Sequence, residues 1–248
     1  MLEIKNISKT YDNNGQLIKT IKDFSLSIDE HKFIVLVGPS GCGKTTLLKI
    51  IAGLLEQTTG EVILDGKKIL EPDKERGMIF QSFSLFPWLT VKDNISFGLD
   101  LQNFSRKQKD EIVQHYLSIV GLSDFANAYP KNLSGGMQQR LAIARTLANN
   151  PKVLLMDEPF GSLDSQTRSK MQEFLTGLWE KDRKTILFVT HDVEEAIFLA
   201  DTVYLLSQRP TEIKQVFNVP FVRPRLHELK YSQEFFELEK EIAQKLEF

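Results

Sequence analysis

The segment Gly38-Pro39-Ser40-Gly41-Cys42-Gly43-Lys44-Thr45 packs three glycines, a lysine and a threonine into eight residues. Glycine lets successive backbone N–H groups turn toward one centre, and such a centre attracts an anion. The Lys44 ammonium adds a mobile charge that reaches the β- and γ-phosphates of a nucleotide. The Thr45 hydroxyl can ligate Mg²⁺, and Thr46 can add a phosphate contact. The spacing is G-x-x-x-x-G-K-[ST], a phosphate-binding pattern when a strand leads in and a helix leads out. The expected nucleotide contacts are therefore Gly38, Pro39, Ser40, Gly41, Cys42, Gly43, Lys44, Thr45 and Thr46. Cys42 fills a free position of the loop, and no histidine nearby in sequence would activate its thiol. The bland alternative is a glycine-rich turn with a surface lysine.

Two carboxylates follow an apolar run. Asp157 and Glu158 come directly after Val153-Leu154-Leu155-Met156. Beside a phosphate loop, an Asp at a strand end helps to hold the metal. The next carboxylate, Glu158, would lie near the γ-phosphate and could orient and polarise the attacking water. His191 follows a second apolar run, residues 185–190, and is expected at the strand edge where open α/β sheets bind ligands. From there it could donate to the γ-phosphate. A solvated acidic turn and a structural histidine are the plain alternatives. Leu133-Ser134-Gly135-Gly136 then offers a hydroxyl and free N–H groups at a helix start, a second anion site on the same chain. One nucleotide has little room for two helix N-termini of one chain. The economical arrangement is a head-to-tail dimer, in which each copy presents Ser134, Gly135 and Gly136 to the γ-phosphate held by the other.

These groups work together only if the intervening elements gather them. Phe24, Leu26 and Ile28 alternate with polar residues, as in a half-buried strand. Residues 33–37 are apolar throughout, as in a strand buried on both faces, and run straight into the phosphate loop. Residues 45–55 are apolar at helical spacing, which predicts a helix leaving the loop. Asp65-Gly66 marks a hairpin. Residues 107–120, with Gly121 as a stop, and residues 136–149 read as helices. Buried strands are expected at 153–156 and 185–190, and a helix at 194–200. Strands alternating with helices predict an α/β fold with a mostly parallel sheet. Arg223-Pro224-Arg225 excludes regular helix through the start of the tail. Phe235, Leu238, Ile242 and Leu246 then share one helical face, expected to dock on its own domain.

The 248 residues carry 31 Lys and Arg against 33 Asp and Glu, a balance unlike that of a protein that coats nucleic acid. With a single cysteine no internal disulfide can form, which fits a reducing compartment. No apolar run approaches the roughly 20 residues of a spanning helix. The first residues do not read as a secretion signal. The expected place is inside the cell, at a membrane only through a partner.

With all these segments in order, residues 1–207 resemble the ATP-binding subunit of an ABC transporter. The resemblance implies an α/β fold of the P-loop, RecA-like kind: a mostly parallel sheet core, an antiparallel β subdomain and an inserted α-helical subdomain at about 82–150. Residues 208–248 would be a C-terminal extension, helical at its end and without a separate regulatory domain. The implied activity is ATP hydrolysis with Mg²⁺, with Lys44, Glu158, His191 and Gln81 in the catalytic set. Thr45, Gln81 and Asp157 are implied at the metal. Gln81 matches the glutamine that senses the γ-phosphate, Asp164 in Ser162-Leu163-Asp164 matches the loop that meets the second copy, and Tyr11 matches the aromatic that stacks on adenine. Its alternative is an ordinary strand-end tyrosine. Leu85-Phe86-Pro87-Trp88-Leu89-Thr90-Val91 and the tail Val219-Pro220-Phe221-Val222-Arg223-Pro224-Arg225 resemble importers of nitrate, sulfonates, taurine and bicarbonate. The implied partners are a second copy, transmembrane permease subunits and an extracytoplasmic substrate-binding protein, on the cytoplasmic face of the membrane, with no nucleic acid. The run from Phe83 to Trp88 is the expected permease contact, with core packing of the helical lobe as the plain alternative for some of its residues. A cassette serving ribosomes or DNA, or one driving an exporter, is the competing reading. Glu30-His31-Lys32-Phe33 and Gln57-Thr58-Thr59-Gly60 depart from the family's usual turns, outside the nucleotide chemistry.

Overall fold

The computed structural model describes residues 1–246. The chain opens with strands β1 (Leu2–Asn13) and β2 (Gln16–Ile28), paired antiparallel. Phe24, Leu26 and Ile28 are buried and the serines between them exposed, so the alternation sets which face packs inward. Strand β3 (Phe33–Val37) is buried at every position. Helix α1 (Lys44–Ile51) leaves the phosphate loop.

The helix stops earlier than its apolar spacing predicted. Gly53 has φ +78°, and a Cβ there would lie 2.6 Å from the Glu71 carbonyl. The Leu54 N–H bonds the Lys49 carbonyl and the Gly53 N–H bonds that of Ile50, the closure of a glycine-terminated helix. Apolar periodicity continued past the turn because Leu55 packs on the same core from outside the helix.

Strands β4 (Thr59–Leu64) and β5 (Lys67–Lys68) form the hairpin across Asp65-Gly66, whose φ values are both positive. The four strands make an antiparallel sheet in the order β2-β1-β4-β5. Strand β6 (Arg76–Ile79) starts a different sheet. Helices α2 (Val91–Asp100), α3 (Arg106–Ile119) and α4 (Gly135–Leu147) follow. They enclose a core of their own around Ile95, Leu99, Leu117 and Leu141. Thr90, Ser105 and Ser134 cap the three helices with side-chain oxygens.

The chain then returns to the second sheet with β7 (Val153–Asp157), α5 (Ser165–Lys181), β8 (Thr185–Thr190), α6 (Val193–Leu199), β9 (Thr202–Leu206) and β10 (Ile213–Asn218). The order is β10-β9-β3-β8-β7-β6, parallel except for the edge strand β10. One face of this sheet packs on α1 and the antiparallel sheet, the other on α5 and α6. Helix α7 (Gln233–Leu246) closes the chain. Its Phe235 and Ile242 are buried in the main core, with Leu238 and Leu246 packed against it, so this end of the chain is docked on its own domain.

Phe235→Ala should cost about 3 kcal/mol or more, the usual range for a buried Phe truncation. Urea unfolding of the full chain measures it; a cost below 1 kcal/mol would mean α7 is not part of the core.

Candidate functional site

The parallel register decides where the chemistry sits. Val37 pairs with Thr190, Asp157 with Val189 and Ile79 with Met156. The residues that follow these strands are Gly38, Glu158, His191 and Gln81, reached through Phe80. All leave from one carboxyl edge, where open α/β sheets bind ligands.

The phosphate loop is held from behind. Gly43 has φ +126°, and a Cβ would come within 2.7 Å of Thr211 Oγ1. Thr211 is fully buried, and its hydroxyl lies between the carbonyls of Cys42 and Thr20 and can donate to either. Arg209 Nε donates to the Gly41 carbonyl. Both supports come from the β9–β10 turn. Their distance in sequence left no signal for them in the motif. Cys42 is buried and burial pushes its thiol pKa up, so its side chain is not the contacting group.

Lys44 is 4% exposed and donates to the carbonyls of Gly38 (2.7 Å) and Pro39 (3.1 Å). Its Nζ is 3.5 Å from Glu158 Oε1. The other Glu158 oxygen is 2.9 Å from His191 Nδ1. Glu158 itself has φ +43°, a conformation costing a non-glycine residue roughly 1–2 kcal/mol. Its N–H still bonds the Val189 carbonyl at 3.0 Å. The backbone thus breaks out of strand geometry at the residue whose carboxylate faces both the lysine and the histidine.

Thr45 Oγ1 donates to Asp157 Oδ1 at 3.0 Å. Burial raises the Asp157 carboxyl pKa, and the Thr45 bond opposes that rise. Among the described residues no group of three or more His, Cys, Asp or Glu could cage a metal. A hydroxyl and one carboxylate beside a phosphate loop suit Mg²⁺, which keeps waters and shares its shell with substrate phosphates. The residues present fit that ion.

Behind Glu158 lies a cavity of about 30 Å³ bordered by Arg168, Thr190, His191, Asp192 and Glu195. Burial pushes the Glu195 carboxyl up to about 7, against bonds from Thr190 and Gln172 and with Asp192 and Arg168 as the nearest charges. The sequence reading missed Glu195 and Arg168, because nothing local distinguishes them from helix-surface charges.

The remaining expected residues lie around this cluster. Gln81 Nε2 is 3.8 Å from where a Gly161 Cβ would be, beside the turn that follows Glu158. Among the described residues no hydrogen bond joins it to Thr45 or Asp157, so it is not gathered with that pair. Tyr11 is 39% exposed on β1, opposite Ile18, with the Lys9 ammonium 5.1 Å from its ring centre. Thr46, half-buried, follows on α1. Ser134 caps α4 by accepting the Met137 N–H, and Gly135 is exposed beside Leu163. A Cβ on Gly136 would meet Thr167 at 2.8 Å, so α4 begins against the start of α5. There Asp164 caps α5 through the Thr167 N–H, which lowers its pKa. No hydrogen bond among the described residues joins Ser134 or Asp164 to Lys44 and Glu158.

Residues 21–161 match the family model described as ABC transporter. The chain belongs to the ABC transporter family. A nitrate import ATP-binding protein of Synechocystis sp. is 46% identical to it, the match covering 98% of this chain and 93% of that one. A taurine import ATP-binding protein of Roseobacter denitrificans is 45% identical, over 97% and 92% of the two chains. A solved dimeric ATP-binding cassette, in a post-hydrolysis state bound to ADP and Pi, is 36% identical with a TM-score of 0.78, covering 90% of this chain and 100% of that one. The ABC cassette described here binds ATP with Mg²⁺ and hydrolyses it.

Glu195 makes stability depend on pH. Its folded pKa of about 7 lies above the ordinary 4.5, so between these values the native state holds a proton that the unfolded chain releases. This contribution is complete below about pH 4.5 and is lost as the pH rises to 7. Glu195→Gln should therefore gain stability relative to the parent between pH 4.5 and 8, by up to roughly 3 kcal/mol. Denaturant unfolding at both pH values checks it; a constant difference contradicts it.

Proposed function

We propose that this cassette powers uptake of a small anionic or zwitterionic solute of the nitrate, sulfonate and taurine type through a separate permease. Two copies close head to tail on two MgATP molecules. The names of the nitrate and taurine relatives support the solute class, and the dimeric solved cassette supports the pairing. Among the described residues no helix is long and apolar enough to cross a membrane. The proposal assigns the solute's path to permease subunits, the delivery of solute to an extracytoplasmic binding protein, and this chain to the cytoplasmic face. We assign residues 1–207 to the cassette proper, with a helical subdomain at about 82–150, and 208–248 to an extension that first adds β10 to the main sheet and whose last two residues lie outside the described structure.

The observation that carries the reading is Glu158, held in a costly backbone conformation between Lys44 and His191. In the proposed mechanism the loop N–H groups from Gly38 to Thr46 and the Lys44 ammonium take the phosphates, while Tyr11 lies on adenine. Thr45 and Asp157 would hold Mg²⁺, joined by Gln81 from the neighbouring turn. When bound, that ion draws negative charge off the β- and γ-phosphate oxygens. Glu158 accepts the proton of the attacking water. His191 steadies the Glu158 carboxylate and donates to the γ-phosphate. Ser134, Gly135, Gly136 and Asp164 of the second copy complete the site. Their separation from the Lys44 cluster within one chain favours a two-chain site.

The permease contact is assigned to the aromatic surface after Gln81. Trp88 is 71% exposed, its ring centre 5.7 Å from that of Phe86, which lies tilted against Phe97 (ring centres 4.3 Å apart) with the Arg145 guanidinium over it. Phe83 and Leu85 pack instead on the main and helical cores, so only part of the expected run is available. Exposed aromatics beside a groove are unusual on a surface with no partner.

Glu158→Gln keeps the shape of the side chain but removes its basicity. ATP should still bind and turnover should fall by at least about a hundredfold, in line with loss of a general base. The variant should be a stable dimer in MgATP and a monomer in ADP, and adding Ser134→Arg should abolish the dimer. Light scattering after size exclusion reads both. A variant that stays monomeric in saturating MgATP refutes the two-chain site.

Trp88→Ala should depress solute uptake in proteoliposomes of the complete transporter several-fold more than it depresses ATPase of the isolated cassette. Equal losses would remove the permease assignment.

A further inference from the structure

The C-terminal extension is bonded to both ends of α6, the helix that begins two residues after His191. At the far end the Arg225 guanidinium, 4% exposed, donates to the carbonyls of Ile197 (3.0 Å), Phe198 (3.0 Å) and Ala200 (2.7 Å). Arg223 donates to the Leu199 carbonyl and to Asp201. Carbonyls at a helix C-terminus lack partners in the helix, and here two cations supply them.

At the near end Lys230 reaches in from the short 3₁₀ turn His227–Tyr231. Its ammonium is bonded to Glu194 Oε1 (2.6 Å) and Gln172 Oε1 (2.7 Å) and lies 4.8 Å from the centre of the Phe198 ring. Lysine can only donate, so the Gln172 oxygen must face it, and the Gln172 amide nitrogen is turned the other way. That nitrogen donates to Glu195 Oε1 at 3.1 Å. The Glu195 N–H donates in turn to Asp192 Oδ1 at 3.0 Å, and the Asp192 N–H donates to the Thr190 hydroxyl at 3.0 Å. Thr190 and Asp192 flank His191, whose ring touches Glu158. The contacts run without a gap from the extension to the carboxylate of the proposed general base.

We propose that Lys230 is a positioning residue for hydrolysis: by fixing the Gln172 amide it fixes Glu195 and the Thr190–Asp192 turn, and so holds His191 against Glu158. The proposal rests on the role assigned to His191 above. A surface ion pair would leave the Lys230 ammonium in water; this side chain is 5% exposed and ordered by two elements besides its own. Neither Lys230 nor Gln172 touches the reacting atoms, so both act through His191.

Lys230→Met keeps an unbranched side chain of similar length and removes both bonds along with the charge over Phe198. ATPase kcat of the full chain should fall roughly tenfold, the scale of a slightly misplaced catalytic group, with KM for ATP unchanged because the phosphate loop is untouched. Lys230→Arg, which can still donate to both partners, should recover at least half of the rate. In spectra of ¹³C-histidine-labelled protein the His191 ring signals should move in Lys230→Met while those of His31 and His115 stay. Gln172→Met should reproduce the kcat loss, and it decides the matter if Lys230→Met does not fold. Unchanged kcat, a loss carried by KM, failure of arginine to rescue, or an unmoved His191 signal overturns the proposal. His191→Ala separates the two levels. If it retains wild-type turnover, the role of His191 is wrong. If it is inactive while Lys230→Met and Gln172→Met are normal, only the positioning role is wrong.

Discussion

The site depends on parallel strand pairing. In a parallel sheet all strands end on the same side, so β3, β6, β7 and β8 release the phosphate loop, Gln81, Asp157-Glu158 and His191 within a rung or two of one another. The same pairing requires both faces of the sheet to be covered, and it accounts for the unbroken apolar runs of β3, β7 and β8. Fold and chemistry are thus two consequences of one arrangement: the residues that make the core are those that aim the polar groups at its rim.

The rim concentrates charge at low exposure. Lys44, Asp157 and Glu195 are each buried, yet each has partners of opposite charge or hydrogen-bonding capacity. An unpaired charge at such depth would cost several kcal/mol. The Lys44 ammonium is bonded to loop carbonyls and paired with Glu158, so the charge proposed to meet the phosphates is already desolvated. The loop's shape is set by parts distant in the chain. Thr211 fills the space that forbids any side chain at Gly43, and Arg209 ties down Gly41.

The helical lobe and the C-terminal extension both pack against the core that carries this rim. The lobe carries the capped N-terminus of α4 and the aromatic surface near Gln81, which suits a link between a second copy, a membrane partner and the nucleotide. The extension reaches the histidine turn through buried polar groups.

Local chemistry was legible in the sequence wherever a few adjacent residues suffice. The spacing of Gly38, Gly41, Gly43 and Lys44, the strand-end carboxylates and the helix start at Ser134-Gly135 all depend on backbone geometry within one turn. The strand–helix alternation likewise predicted the parallel sheet, because periodicity reports which faces are buried. Tertiary structure alone decided where α1 stops, since Gly53 is required by the Glu71 carbonyl approaching from elsewhere in the chain. It alone decided which aromatics of the 83–88 run remain at the surface, because Phe83 and Leu85 are claimed by two different cores. It also decided the partners of Thr211, Arg225 and Lys230. Those residues act through hydrogen bonds across long stretches of chain, and such a bond leaves no periodicity for a single sequence to display.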